Sequence, residues 1–254
     1  MSDRPTTSLC TSSADDILVR GRSLPRELIG QRSFTEMVWL LITGDEPTAA
    51  QTAVLDGCLV TLMEHGLTPT AVSTRLTYTS APEAMQGAVA AGLLSVGSLF
   101  VGTMEGCAEL LQQVVAAEDP EAEAARIVAD ARAARRKLPG FGHPVHRPVD
   151  PRTVALLELA ERHGLRGDHC AALEALAAAI PGAIGRELPP NATGAIAAVL
   201  CDAGLPAEIL RGVALISRCA GLVGHVREEQ QRPAMNALWH AAEAAVPYVP
   251  EEEA

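Results

Sequence analysis

The chain has 254 residues, enough for one large domain or two small ones around a sizeable core. Hydrophobic residues make up 48% of it and aromatics only 3%, so the core must be built from Ala, Leu, Val and Ile, which favours an all-α protein. A net charge of −11 argues against a nucleic-acid or anionic-membrane surface as its main business.

Residues 1–16 are polar and read as loose, and Ile17-Leu-Val-Arg-Gly-Arg reads as a short strand and turn. Ser33 with Glu36 three residues later has the form of a capping box at the head of a helix Phe34–Leu41, which stops at Thr43-Gly44. Thr48 heads the next segment, helical from Ala49 to His65 through Val54, Leu55, Cys58, Leu59 and Leu62, with Gly66 as the stop. Thr68–Ala81 is rich in Thr and Ser and punctuated by Pro69 and Pro82. Glu83–Val115 reads as one or two buried helices. Its many small residues imply a close backbone approach or a break near Gly97–Gly102, because each helical Gly costs about 1 kcal/mol relative to Ala.

Asp119-Pro120 opens a charged helix, Glu121–Arg136. After an irregular loop come helices Thr153–His163 and Asp168–Ile180, a connector Pro181–Pro190, and apolar helices Ala195–Asp202 and Ala207–Val223. Pro233, Pro247 and Pro250 mark an irregular, acidic tail. The six cysteines lack CxxC pairing, and most lie in apolar stretches, as small core residues of a reducing compartment do. The N-terminus lacks the layout of a signal peptide, and the apolar run Ala88–Val101 is too short for a membrane span, so a cytoplasmic protein is expected.

The loop Lys137–Arg152 is the least ordinary stretch. It holds four prolines, two glycines, two histidines, two arginines and one lysine. Its prolines bar a helix, so it presents His143, His146, Arg147 and Arg152 from a rigid loop. With Arg132, Arg135, Arg136 and Lys137 it forms a basic island on an acidic protein, which suits a small anionic ligand; a solvated helix face is the plain alternative. No Cys or carboxylate completes a metal-binding spacing around His143 and His146. An exposed histidine between such glycines can donate to a carbonyl or carboxyl oxygen. His65 reads equally as a helix C-terminal dipole partner, and His225, seven residues after Arg218, as a structural or interface histidine. His163, His169 and His240 read as surface or interface residues, and Met104 as packing.

Gly140-Phe-Gly-His-Pro-Val-His-Arg-Pro-Val-Asp-Pro-Arg152 resembles the signature of the citrate synthase superfamily, Gly-x-Gly-His-x-Val-x-(Lys/Arg)-x-x-Asp-Pro-Arg. The likeness extends through Ile17-Leu-Val-Arg-Gly, Ser33-Phe-Thr-Glu-Met-Val-Trp-Leu-Leu, Gly44-Asp-Glu-Pro, Glu64-His65, Ser217-Arg218…Gly221-Leu-Val-Gly-His225 and Arg232-Pro233. The short length makes it most similar to citryl-CoA lyase and to the lyase module of ATP-citrate lyase. The resemblance implies an all-α homodimer with a large domain (1–112 and 210–254) and a small CoA-side domain (113–209). It implies a C–C bond made or cleaved between a CoA-thioester enolate and a 2-oxo acid such as oxaloacetate. No metal and no permanently bound cofactor are implied, and the partners are acyl-CoA and di- or tricarboxylates.

Residue by residue, the resemblance implies that His65 hydrogen-bonds the oxo acid and that His143 polarises the oxygen at the carbon attacked or released. Arg152 and Arg218 would grip carboxylates, joined by Arg232 from the neighbouring subunit. The backbone of Gly140, Phe141, Gly142 and Pro144 would lie along CoA, with Arg135, Arg136 or Lys137 nearby. Two positions depart from the family. Phe100 stands where synthases have the histidine that polarises the thioester carbonyl, a change that favours lyase over synthase. Thr193, in Asn191-Ala-Thr193, stands where the family has the aspartate that moves the α-proton. Loss of such a group typically costs about 10²–10⁴-fold in rate. Glu105, Glu187 and Asp202 are candidate substitutes. A different CoA-thioester reaction and a non-catalytic CoA- and carboxylate-binding protein therefore stand beside the lyase reading.

Overall fold

The computed structural model describes residues 4–142 and 148–250. It is predominantly helical, with 64% helix and 5% strand. The strand expected at Ile17 is present and is one of three, which adds a small sheet to the helical fold and gives residues 10–12 a regular place where a loose N-terminus was expected. Cys10–Ser12 (β1), Ile17–Val19 (β2) and Arg22–Ser23 (β3) form a small antiparallel sheet in that order, with Thr11 opposite Leu18. Arg20 ties it down: its guanidinium donates to Ser8 Oγ at 3.1 Å and to the Leu41 carbonyl at 2.7 Å.

Helix α1 (Phe34–Thr43) starts at the expected capping box: the Ser33 N–H donates to Glu36 Oε2 at 2.7 Å and the Glu36 N–H to Ser33 Oγ at 3.2 Å. Thr48 and Gln51 repeat the device at α2 (Ala49–Met63). The Thr-rich stretch after it is a helix, α3 (Pro69–Ser80). Pro69 sits in its first turn, where no N–H is needed. Thr79 and Ser80 satisfy their hydroxyls on carbonyls four residues back, and Thr70, Ala71, Thr74 and Arg75 are buried. The glycine-rich region splits as expected into α4 (Met85–Leu94) and α5 (Met104–Val115), on either side of a turn at 97–102.

Then follow α6 (Pro120–Ala133), α7 (Pro151–Arg162), α8 (Asp168–Ile184), α9 (Ala192–Asp202), α10 (Leu210–Gln231) and α11 (Met235–Ala245). Helix α8 carries Pro181 inside it, so the expected connector begins one turn later. Helix α10 runs two turns past Val223, and the supposed irregular tail contains α11, which buries none of its residues. The segment 207–231 is long and apolar enough to cross a membrane by length and composition, but it packs against α2, α3, α4 and α5.

The core centres on α9, where every residue from Ala195 to Leu200 is buried. Its alanines let α5, α7 and α8 approach closely, and Leu173, Leu176, Ile196 and Leu200 fill the space between. Each such aliphatic side chain contributes about 1.5–3 kcal/mol on burial. The cluster is continuous from α1 to the start of α10, and α4 makes a smaller one with α10. Cys58, Cys107 and Cys170 are buried in it, and burial pushes the Cys107 thiol up to about 12, beyond thiolate chemistry at neutral pH. At Gly194 the α9 backbone touches the 140–142 loop so closely that a Cβ there would lie 2.4 Å from the Gly140 carbonyl oxygen.

Asp202, at the end of α9, caps α8 across the core. It accepts the N–H groups of Gly167, His169 and Cys170 at 2.8–3.0 Å and faces His169 Nδ1 at 2.9 Å. Burial opposes its charge, but the bonds from His169 and Cys170 prevail and hold its pKa at about 2 against an ordinary 3.8. A depressed carboxylate contributes stability above its unfolded pKa and loses it as pH falls through the folded one. Asp202→Asn should therefore cost about 2 kcal/mol at neutral pH. It should also flatten the loss of stability that the wild type shows on acidification from 3.8 to about 2. Urea titrations across that range check both; a variant as stable as wild type at pH 7 would contradict the assignment.

Candidate active site

A cleft of about 490 Å³ opens where the ends of several helices converge. The end of α2 and the start of α3 supply Thr61, Leu62, His65, Leu67, Thr68 and Pro69. The turn before α5 supplies Leu99, Phe100 and Val101, followed by Thr103. Gly142, Arg152 at the head of α7, Asn191, Ala192 and Thr193 at the head of α9, and Arg218 on α10 complete it. Residues far apart in sequence and expected in one site thus meet: His65, Phe100, Gly142, Arg152, Thr193 and Arg218.

His143, Pro144, His146 and Arg147 fall outside the described residues. Gly140 and Phe141 are buried, and Phe141 bridges to Pro190. Arg135, Arg136 and Lys137 are exposed and outside the cleft lining, as is Arg232 at the end of α10. A second cavity of about 490 Å³, against the sheet, offers only Arg20 and Cys10 beside hydroxyls and apolar groups, so the convergent chemistry marks the first.

Arg218 is 3% exposed, and its Nε and Nη1 have no hydrogen-bond partner among the described residues. Burial lowers its pKa; the Glu64 charge works against that and the nearby Arg152 charge adds to it. A buried guanidinium with open N–H groups costs stability until an anion satisfies it. Arg152 is already braced. Its Nε and Nη2 donate to the two oxygens of Asp150 at 3.0 and 2.8 Å. Asp150 also caps α7 through the Arg152 N–H and receives the Ala192 N–H at 3.2 Å, so one carboxylate joins the heads of α7 and α9. Burial opposes the Asp150 charge, but these donors hold it below the usual carboxylate range.

His65 is held from behind. Glu64 Oε1 accepts the His65 N–H at 2.9 Å and the Gly66 N–H at 2.6 Å. Its Oε2 lies 2.9 Å from His225 Nε2. His225 Nδ1 accepts from buried Arg75 Nε at 3.0 Å, which places a neutral imidazole's proton on Nε2, toward Glu64. Arg75 in turn pairs with Glu229 at 2.8 Å and with Glu228. Glu64 and His225 belong to the sequence motifs, whereas Arg75, Glu229 and Thr103 carry no such signal, because the contacts of Arg75 with His225 and Glu229 and of Thr103 with Thr193 span 90 or more residues.

Among the described residues, the cleft's charged groups of fixed sign are both cations, Arg152 and Arg218, and no carboxylate lines it. None of the three candidate substitutes for the missing aspartate is among the lining residues. Glu105 pairs with Arg211 at 2.7 Å, Asp202 caps α8, and Glu187 is exposed. Exposed Leu67 and Leu99, with Phe100 and Val101, make the remaining wall apolar. The arrangement can hold a polyanion, orient an oxygen and exclude water from one side.

This fold and cation-lined cleft place the molecule in a known class. Residues 46–240 match the family described as citrate synthase, C-terminal domain, and the chain belongs to that family. It is similar to a solved citryl-CoA lyase from Hydrogenobacter thermophilus, 28% identical, with a TM-score of 0.86 over 97% of this chain and 94% of that one. Citrate synthase of Haloferax volcanii is 28% identical over 194 residues, 75% of this chain and 50% of its own length. The chain thus spans about half the length of the curated relatives it matches. An ATP citrate lyase from Methanothrix soehngenii, solved in complex with citrate and coenzyme A, shares the fold, with a TM-score of 0.79 at 18% identity, over 99% of this chain and 43% of that one.

Proposed function

We propose that this chain is a citryl-CoA lyase-type enzyme, acting in the cytoplasm, that cleaves a citryl-CoA-like thioester to a CoA thioester and a 2-oxo acid, or runs the reverse condensation. The observation that carries the reading is the pairing of buried Arg218, its Nε and Nη1 unpartnered, and braced Arg152 in one cleft that no carboxylate lines, among the described residues. Such a site recognises a di- or tricarboxylate. Phe100 in the cleft favours lyase over synthase, because an apolar ring cannot polarise a thioester carbonyl.

In the cleavage direction the substrate's hydroxyl gives up its proton as the adjoining C–C bond breaks. The electron pair goes to the thioester α-carbon as an enolate, which takes a proton from solvent, balancing the proton that the hydroxyl releases to solvent. Arg152 and Arg218 hold carboxylates, His65 binds the oxo-acid part and His143 addresses the oxygen. Gly142 edges the CoA arm, and CoA comes and goes as part of the substrate. The cleft draws on segments from both proposed lobes, 1–112 with 210–254 and 113–209, which fits a site between them. The exposed apolar residues Trp239 and Val246, on and just after α11, favour a homodimer, with Arg232 offered to the second subunit.

Incubating the protein with citryl-CoA should yield acetyl-CoA and oxaloacetate; no turnover with citryl-CoA or with alkyl-substituted analogues would overturn the reading. Thr193 favours one second reading, a CoA- and carboxylate-binding homologue without this activity, for which the same assay would give binding without products.

A further inference from the structure

The hydroxyl of Thr193 sits in a chain whose proton directions are fixed. Asn191 Oδ1 accepts the backbone N–H groups of Thr193 and Gly194, both at 3.1 Å, so that atom is the amide oxygen. Thr193 Oγ1 lies 2.7 Å from the same oxygen and must therefore donate its only proton to it. Thr103 Oγ1 lies 2.7 Å from Thr193 Oγ1, so Thr103 is the donor in that pair. At the other end the Asn191 amide nitrogen donates to the Gly142 carbonyl at 2.9 Å. The Gly142 N–H donates to the Pro189 carbonyl at 2.8 Å, and the Asn191 N–H to the Gly140 carbonyl at 2.9 Å. The chain runs Thr103 to Thr193 to Asn191 to Gly142, from the head of α5 through the head of α9 to the residue before His143.

We propose that Thr103 and Thr193 are positioning residues that act through Asn191 to fix the Gly142 carbonyl, and with it the entry of the chain into the histidine segment. Thr193 then has no proton to offer a substrate, and a neutral hydroxyl takes none at ordinary pH. It stands in the family's acid/base position and performs a structural task there. Asn191 can point its amide nitrogen at Gly142 because three donors hold its oxygen. Removing the Thr193 hydroxyl leaves the Thr103 hydroxyl without its acceptor and takes one of those donors away.

The kinetic arm of the test rests on the lyase reading, and the exchange arm does not. In the full chain, Thr193→Val keeps the shape and removes the hydroxyl, Thr193→Ser restores it, and Thr103→Val cuts the chain one bond earlier. Deuterium exchange of the peptide spanning residues 138–149 should speed by about tenfold in Thr193→Val, by less in Thr103→Val, and return to near wild type in Thr193→Ser. With citryl-CoA, Thr193→Val should lower kcat by about tenfold at a KM within about twofold of wild type, with Thr193→Ser active. Unchanged exchange in Thr193→Val overturns the proposal. So does a Thr193→Ser variant as impaired as Thr193→Val, which would assign the role to the methyl group. If the wild type does not turn over, the lyase reading fails and the exchange series alone decides this one.

Discussion

Arg218→Met should weaken citrate or oxaloacetate binding by about 100- to 1,000-fold, the loss expected when one partner of a buried charge pair is truncated. The same variant, without ligand, should be as stable as wild type or more so. The reason is the asymmetry of the site. In the unliganded chain the guanidinium is buried with Nε and Nη1 unpartnered among the described residues, so it opposes folding. Met matches much of its length and asks for no hydrogen bonds. Calorimetric titration with the carboxylate, together with thermal unfolding of the free protein, checks both halves. A large drop in melting temperature without ligand would mean that Arg218 is a structural group with a partner of its own.

Asp150→Ala should act the other way, costing about 3–5 kcal/mol of stability, since it strands the charge of a largely buried Arg152 and uncaps α7. It also frees the Ala192 N–H at the head of α9, so the damage should reach the Asn191–Thr193 segment as well as the arginine. Asp150→Asn should recover part of the loss through the cap alone. Because the donors hold the Asp150 charge below its usual range, wild-type stability should be flat above the unfolded carboxylate pKa and fall as pH drops through the folded one. Asp150→Ala should lose that component of the acid slope. Guanidinium denaturation at neutral and acidic pH measures it, and an Asp150→Ala loss below about 1 kcal/mol would refute the brace.

What could be read in the sequence was local or motif-borne. The Ser33–Glu36 and Thr48 starts, the split near Gly97–Gly102 and the Asp119-Pro120 opening were legible because caps and breakers act within a few residues. Helix α3 was not, because Thr and Ser read as loop until burial of Thr70 and Thr74 gives them a reason to be helical. Pro181 read as a stop, yet α8 tolerates it near its end. Helix α11 was hidden by flanking prolines. At the site, motif order found His65, Arg152, Thr193 and Arg218, and the cleft joins them. It gave no hint that Asp150 would bind Ala192, Thr103 would meet Thr193, or Arg75 would reach His225. Those pairs are 42, 90 and 150 residues apart, and no period or cap encodes them.

One contact sets where this scaffold has freedom to change. A Cβ on Gly221 would lie 1.9 Å from the Met63 carbonyl oxygen, so α2 and α10 touch backbone to backbone just where α2 gives way to Glu64 and His65. Arg218 stands one turn earlier on the same helix. The histidine side and the arginine side of the cleft are therefore one mechanical unit, and drift at Gly221 would move both together. The exposed lip residues Leu67 and Leu99 take no part in that contact, so the mouth of the cleft can vary while the crossing stays fixed.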